Sequence, residues 1–218
     1  MTKIETSLLA KQVYNQMRQN IMTRKYEPGQ KLDMQSLADT FGVSRSPVKD
    51  AIQRLVHEGL LEVVPRKGTY VTDIQLEDFL EVIETRLMIE QWASRTFLQT
   101  VTAEQIEKLR EIVIKMDQLL TTERFNFEEY SELDMMFHQL IVEWANNKRI
   151  ESVYRSLNTH VILSRIVYST SLESTIERHK DHHHLLKAIE QKDISHFHQS
   201  IEHHLNSLKD EAISRWDE

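Results

Sequence analysis

Apolar residues recur along this chain mostly at the three- and four-residue spacing of helices that bury one face. Leu37, Ala38 and Phe41 share one such face, and Val48, Ala51, Ile52 and Leu55 share another. Gly42 lies between them and supplies the backbone freedom of a sharp helix–helix turn. Ser46 is the expected N-cap of the second helix, with Pro47 at its first position. Gly59 marks its end. The rhythm then changes. Leu61–Val64 and Thr69–Val71 are β-prone runs around the turn-like Pro65-Arg66-Lys67-Gly68, which predicts a two-stranded hairpin, the wing of a winged helix.

All four glycines and all three prolines precede residue 69, so the remainder lacks turn punctuation and reads as all helix. Helices are expected over Leu76–Thr100, Ala103–Thr121, Phe127–Ala145, Lys148–Ser169, Ser174–Lys192 and Ile194–Trp216. Thr102 and Asn147 supply start signals, and the short connections imply antiparallel neighbours. The fold class is mainly α: an N-terminal winged helix-turn-helix over residues 1–73 and an antiparallel helical bundle over 74–218.

Charge sharpens the division. The chain carries a net −7, yet residues 1–75 hold 11 basic against 8 acidic residues, or +3, which leaves −10 for the rest. A mildly basic head on an acidic body suits a DNA module joined to a domain with another task. Without cysteine there are neither disulfides nor thiolate ligands. No signal-peptide run and no 18-residue apolar stretch occurs, so the expectation is a soluble, cytoplasmic protein without a membrane.

The second short helix leaves Arg45, Lys49 and Arg54 outside its apolar face. Cations at an electropositive helix N-terminus suit phosphate, and arginine can also read guanine edges. The hairpin tip adds Arg66 and Lys67, placed to meet phosphates or the minor groove. The bland reading is a helical hairpin and a plain β-hairpin with solvated charges.

Eight of the 11 histidines follow residue 178. The last two helices should turn near Asp193, which brings His182 level with His204 and His183 level with His203. Helical phase groups His182 with Leu185, Leu186 and Ile189, and His204 with Phe197, Ile201 and Leu208; His183 and His203 share polar faces and should meet water. Asp134 and His138 lie i, i+4 on a third helix, in phase with Ile141 and Ala145. An aspartate facing an apolar bundle is costly unless paired or bound to metal. Two readings stay open: a divalent-metal site with N/O ligands suited to zinc, nickel or manganese, or a buried polar cluster in which Asp134 pairs with a histidine.

Residues 8–72 resemble the GntR family of bacterial transcription regulators through Pro28-Gly29, Leu32, Leu37-Ala38, Gly42-Val43-Ser44-Arg45-Ser46-Pro47-Val48, Ala51, Leu55, Glu58-Gly59-Leu60 and Gly68-Thr69-Tyr70-Val71. The resemblance implies that Ser44, Arg45, Ser46, Lys49 and the wing near Gly68 meet DNA. Gln35 stands where many relatives carry arginine and joins that set; Lys49 replaces a frequent arginine and suits a phosphate better than a base. Residues 74–210 resemble the FCD domain of the FadR-type branch. Leu76-Glu77-Asp78-Phe79, Glu84-Thr85-Arg86 with Glu90, Asp134-Met135-Met136-Phe137-His138, Ala145-Asn146-Asn147, Asp181-His182, Ala188-Ile189, Asp193 and His204-Leu205 carry it. Asp181 replaces a usual glutamate and Asn146 a common glycine. The family's metal ligands fall on Asp134, His138, His182 and His204, with zinc the foremost candidate. Such domains hold a small organic acid, for which Arg86 and Arg165 are candidates; Arg86 could instead serve as an i, i+4 partner of Glu90.

The expectation is a homodimeric, ligand-responsive regulator, in all expectation a repressor, that binds near-palindromic double-stranded operator DNA. The rival is a metal-dependent hydrolase tethered to a DNA-binding head. No separate general base stands at a suggestive spacing, so no catalytic residue is assigned. A structural metal without effector is a third reading.

Overall fold

The computed structural model describes residues 3–73, 75–122, 125–157 and 172–216. The chain divides into two compact units, residues 1–74 and 75–218. The first contains α1 (Lys3–Met22), β1 (Lys31–Leu32), α2 (Met34–Phe41), α3 (Arg45–His57), β2 (Leu61–Val64) and β3 (Gly68–Val71). The second contains α4 (Leu76–Thr100), α5 (Ala103–Leu120), α6 (Phe127–Trp144), α7 (Lys148–Ser156), α8 (Leu172–Gln191) and α9 (Ile194–Trp216). The fourth helix expected to run to Ser169 is described only to Ser156, and residues 158–171, with Arg165, lie outside the described residues.

In the first unit, Val48, Ala51, Ile52 and Leu55 of α3 are buried, against Val13, Tyr14, Met17 and Ile21 of α1. Asp33 caps α2, its Oδ1 accepting from the Ser36 backbone N–H at 2.8 Å. Gly42 takes φ +65° at the far end, the left-handed turn that its sequence position requires. Helix α3 begins at Arg45 with Ser44 as N-cap, so Ser46 is not the cap expected above. Pro47 is tolerated two residues further in because no N–H of the first turn has an intrahelical acceptor. The wing also differs from expectation. It is a three-stranded antiparallel sheet in the order β1-β3-β2, with Lys31 opposite Tyr70. A two-residue strand is too short to show any alternation in sequence. Gly68 has φ +132°, a conformation that favours glycine, whereas the Lys31 side-chain end that a Cβ would meet could move aside.

The second unit is an all-helical bundle. α9 packs on α8 and α4, α6 on α4 and α5, and α5 on α8. Phe79, Ile83, Phe97, Leu109, Phe137, Leu185, Phe197 and Leu205 are among its buried core. Thr102 and Gln105 form a reciprocal capping box that starts α5. Asn147 caps α7 through the Arg149 and Ile150 N–H groups. The α8–α9 turn closes tightly: Asp193 N–H donates to Ala188 O at 2.9 Å, and Asp193 Oδ1 then accepts from His196 N–H at 2.9 Å. That turn sets His182 and His204 level with each other.

Asn146 has φ +57°, the left-handed conformation that asparagine tolerates and that glycine, expected there from the family resemblance, adopts freely. Asn146→Gly should leave thermal stability unchanged or slightly raised, whereas Asn146→Ala should cost about 1 kcal/mol in chemical denaturation.

Candidate metal centre and nucleic-acid interface

α6 presents Asp134 and His138, α8 presents His182 and α9 presents His204. One ligand atom from each falls within 4.8 Å of the others, and all four residues are buried. His182 and His204 are 0% and 1% exposed, whereas the side chains of His183 and His203 are 52% and 72% exposed, as helical phase predicts. The rings pack closely. The centroid of His204 lies 4.7 Å from that of His182 and 5.1 Å from that of His138.

Nitrogens converge on the carboxylate, with His182 nearest. His182 Nε2 lies 3.1 Å and His204 Nε2 3.8 Å from Asp134 Oδ1. Among the described residues the Nε2 atoms of His138 and His204 have no hydrogen-bond partner, and that of His182 meets only Asp134, short of full hydrogen-bond geometry. Buried imidazole nitrogens left without good hydrogen bonds around a carboxylate are costly by themselves, and the three imidazoles with Asp134 match the donor set of a divalent ion. Protonation states agree. Burial, reinforced by His182 and His138, pushes His204 down to about 3, and burial with Arg86 lowers His138. Burial works against the Asp134 carboxylate, but His182, His138 and Arg86 hold it well below the usual range. His138 and His204 are thereby favoured as neutral imidazoles and Asp134 as the ionised carboxylate, the forms that bind metal.

Glu90 of α4 organises the other side of the cluster. His138 Nδ1 lies 2.6 Å from Glu90 Oε2. Burial alone would raise Glu90, but His138 and Arg86 bring it down to about 2. An ionised carboxylate only accepts, so Nδ1 carries the hydrogen and the Nε2 lone pair faces the cluster. Arg86 Nε donates to Glu90 Oε1 at 2.6 Å, and the Tyr154 hydroxyl donates to the same oxygen at 2.7 Å. Arg86 therefore does pair with Glu90. That bond uses Nε alone: both terminal amino groups are buried without a hydrogen-bond partner among the described residues, and one stands 3.9 Å from Asp134 Oδ2. Asp181 flanks His204, 3.7 Å from its Nδ1. Sequence reading pairs Glu90 with Arg86 but misses its bond to His138, because spacing along one helix says nothing about a neighbour; Tyr154 gives no sequence signal at all. A cavity of about 420 Å³ beyond Asp181 is lined by Glu173, Glu177, Glu211 and Arg178, a largely acidic wall unsuited to an anion.

On the first unit, Ser44, Arg45, Ser46 and Lys49 are exposed along the start of α3. Gln35 of α2 accepts from Arg45 Nε at 2.6 Å and donates to Asp39 Oδ1 at 2.8 Å, so it aims the arginine. Arg66 and Lys67 stand exposed at the β2–β3 turn, where Lys67 N–H bonds Val64 O and Arg66 takes φ +64°. Arg54 is not free, contrary to expectation. Its guanidinium lies 3.8 Å over the Tyr14 ring, and its Nε pairs with Glu58 at 3.1 Å, because α1 packs across that flank of α3.

Residues 9–71 match the family model described as bacterial regulatory proteins of the gntR family, and residues 81–207 match that of the FCD domain. The chain is 27% identical over 205 residues to the HTH-type transcriptional regulator YdhC of Bacillus subtilis, covering 88% of this chain and 89% of that protein. It is 24% identical to the transcriptional repressor RspR of Escherichia coli, over 94% and 89% of the two chains. The gluconate operon transcriptional repressor of Bacillus subtilis is also 24% identical, over 92% and 84%. Among solved structures, McbR/YncC of E. coli shares the fold with a TM-score of 0.73 at 20% identity, covering 95% and 98%.

Acid should unfold the metal-stripped protein early. The folded pKa of His204, about 3, lies below the ordinary 6.5, so the unfolded chain takes up the proton first. Stability should therefore fall as pH drops from about 6.5 towards about 3, and His204→Leu should flatten that slope in thermal melts run across the window.

Proposed function

The chain belongs to the GntR family of bacterial regulatory proteins and carries that family's FCD ligand-binding domain, and on this premise we propose that it is a repressor released or recruited by a small organic acid held at the buried metal centre. It is a DNA-binding transcription regulator and not an enzyme, as its family and relatives are. Relatives named as repressors support the sign of regulation.

One observation carries the effector reading: the two terminal amino groups of Arg86, fully buried beside Asp134 and without hydrogen-bond partners among the described residues. A guanidinium held by Nε alone offers a two-pronged fork to a carboxylate. Asp134, His138, His182 and His204 would hold a divalent ion, zinc foremost given the three imidazoles and no thiolate. When bound, that ion supplies a second electrophilic contact for the acid. Tyr154 and Glu90 keep Arg86 oriented, and the surrounding apolar core excludes water. An acid bound there regulates only through different affinity for the DNA-competent and DNA-incompetent states.

On the DNA side, Arg45 is the base-reading candidate, aimed by Gln35. Ser44, Ser46 and Lys49 meet the backbone, and Arg66, Lys67 and Gly68 bring the wing to a phosphate or the minor groove. Reading a near-palindromic operator requires two such heads, hence a homodimer. Among the described residues no helix is long and apolar enough to cross a membrane, and the working compartment is the cytoplasm, where operator DNA lies.

Three outcomes test this reading. Arg45→Ala should abolish specific operator retention in electrophoretic and fluorescence-anisotropy assays while the far-ultraviolet spectrum stays native, and Gln35→Ala should weaken it by a smaller factor; undiminished operator affinity in Arg45→Ala would remove the recognition assignment. Desalted protein should retain one tightly held divalent ion per chain by elemental analysis, lost in His182→Ala. Native mass spectrometry should find a small acid in the wild-type protein and none in Arg86→Lys, whose single ammonium cannot fork a carboxylate.

A further inference from the structure

A second group of metal-ligating side chains lies nearer the surface. His179 and His183 occupy i, i+4 positions on one face of α8, and Asp117 reaches across from α5. His179 Nε2 lies 2.8 Å and His183 Nε2 3.0 Å from the same oxygen, Asp117 Oδ1. Ligand atoms of all three fall within 4.8 Å of one another, and the imidazole centroids are 5.1 Å apart. None of the three belongs to the inner set.

We propose that Asp117, His179 and His183 form a second, surface-accessible binding site for a divalent transition-metal ion of the zinc, nickel or copper class. Two histidines one turn apart on a helix present their nitrogens to one ion, as in helical zinc motifs, and a carboxylate completes a facial set of three. Three protein ligands leave coordination positions open to water, which suits the exposure of the group: the side chains of His183 and Asp117 are 52% and 43% exposed.

Chemistry on the inner side of His179 favours the same conclusion. Its Nδ1 lies 3.1 Å from the buried Tyr130 hydroxyl. Without metal, both Nε2–H groups donate to Asp117, and Tyr130 O–H donates to Nδ1. With metal on Nε2, the ring hydrogen of neutral His179 moves to Nδ1 and donates to the Tyr130 oxygen. A hydroxyl is both donor and acceptor, so it serves either tautomer without moving, and it fixes the ring plane in both. Tetrahedral metal–ligand bonds of about 2.1 Å need ligand atoms about 3.4 Å apart, so the pair distances to Asp117 open by only a few tenths of an ångström. His183 and Asp117 are exposed enough to yield that distance. The geometry stands whether or not the inner cluster binds metal.

Zinc titration by isothermal calorimetry on metal-stripped, full-length protein tests the site. Wild type should show a tight event and a weaker second event; His183→Ala should lose the second and keep the first, and Asp117→Asn should weaken the second. His204→Gln should lose the tight event and keep the weaker one, which separates failure of the inner site from failure of the outer. A second event undiminished in both His183→Ala and Asp117→Asn, or a wild type without one, would overturn the assignment.

Discussion

The second unit hangs on the carboxylate of Glu90. It is wholly buried and accepts from Arg86 and Tyr154 through one oxygen and from His138 through the other. Two of those bonds, from His138 and Tyr154, join α4 to α6 and α7, and the third holds Arg86 on α4 itself. Each hydrogen bond to a charged group contributes about 1.5–3 kcal/mol, but removing one partner costs more, because a buried charge left alone costs about 3–5 kcal/mol. The same carboxylate that ties the helices sets the His138 tautomer and the direction of Arg86. The proposed acid site and the helix scaffold thus share one network, so a molecule bound there would act directly on helix packing.

The DNA-binding unit solves a different problem, exposure instead of burial. Its apolar residues are spent on holding α3 against α1, which leaves Ser44, Arg45, Ser46 and Lys49 outward. One residue of the neighbouring helix, Gln35, restricts where Arg45 points. The tip is thus oriented by a polar contact between two packed helices, and the wing hairpin is extended by a third, two-residue strand paired to Thr69 and Tyr70.

Much of this was legible in the residues. Helical phase alone separates buried His182 and His204 from exposed His183 and His203, because a bundle core imposes one apolar stripe per helix. Gly42 and Gly59 mark helix ends because only φ near +65° to +75° closes those turns. What escaped reading depends on partners distant in sequence. Helix α3 starts at Arg45, before the expected Ser46 cap, with Ser44 in the extended N-cap conformation but making no side-chain cap bond, so no capping bond marks the start. Arg54 looked free until α1 placed Tyr14 beneath it. Glu90 looked like a helix-surface partner of Arg86, and its role toward His138 emerges only when α4 meets α6.

The claim that Glu90 couples the metal ligands to the acid-binding arm is tested most directly by zinc calorimetry on Glu90→Gln, with folding verified by circular dichroism. An amide keeps the shape but no longer fixes His138 by charge, so affinity at the tight site should fall about 10–100-fold, as it does when such outer partners are lost. Tight-site affinity equal to that of the wild type would contradict the account.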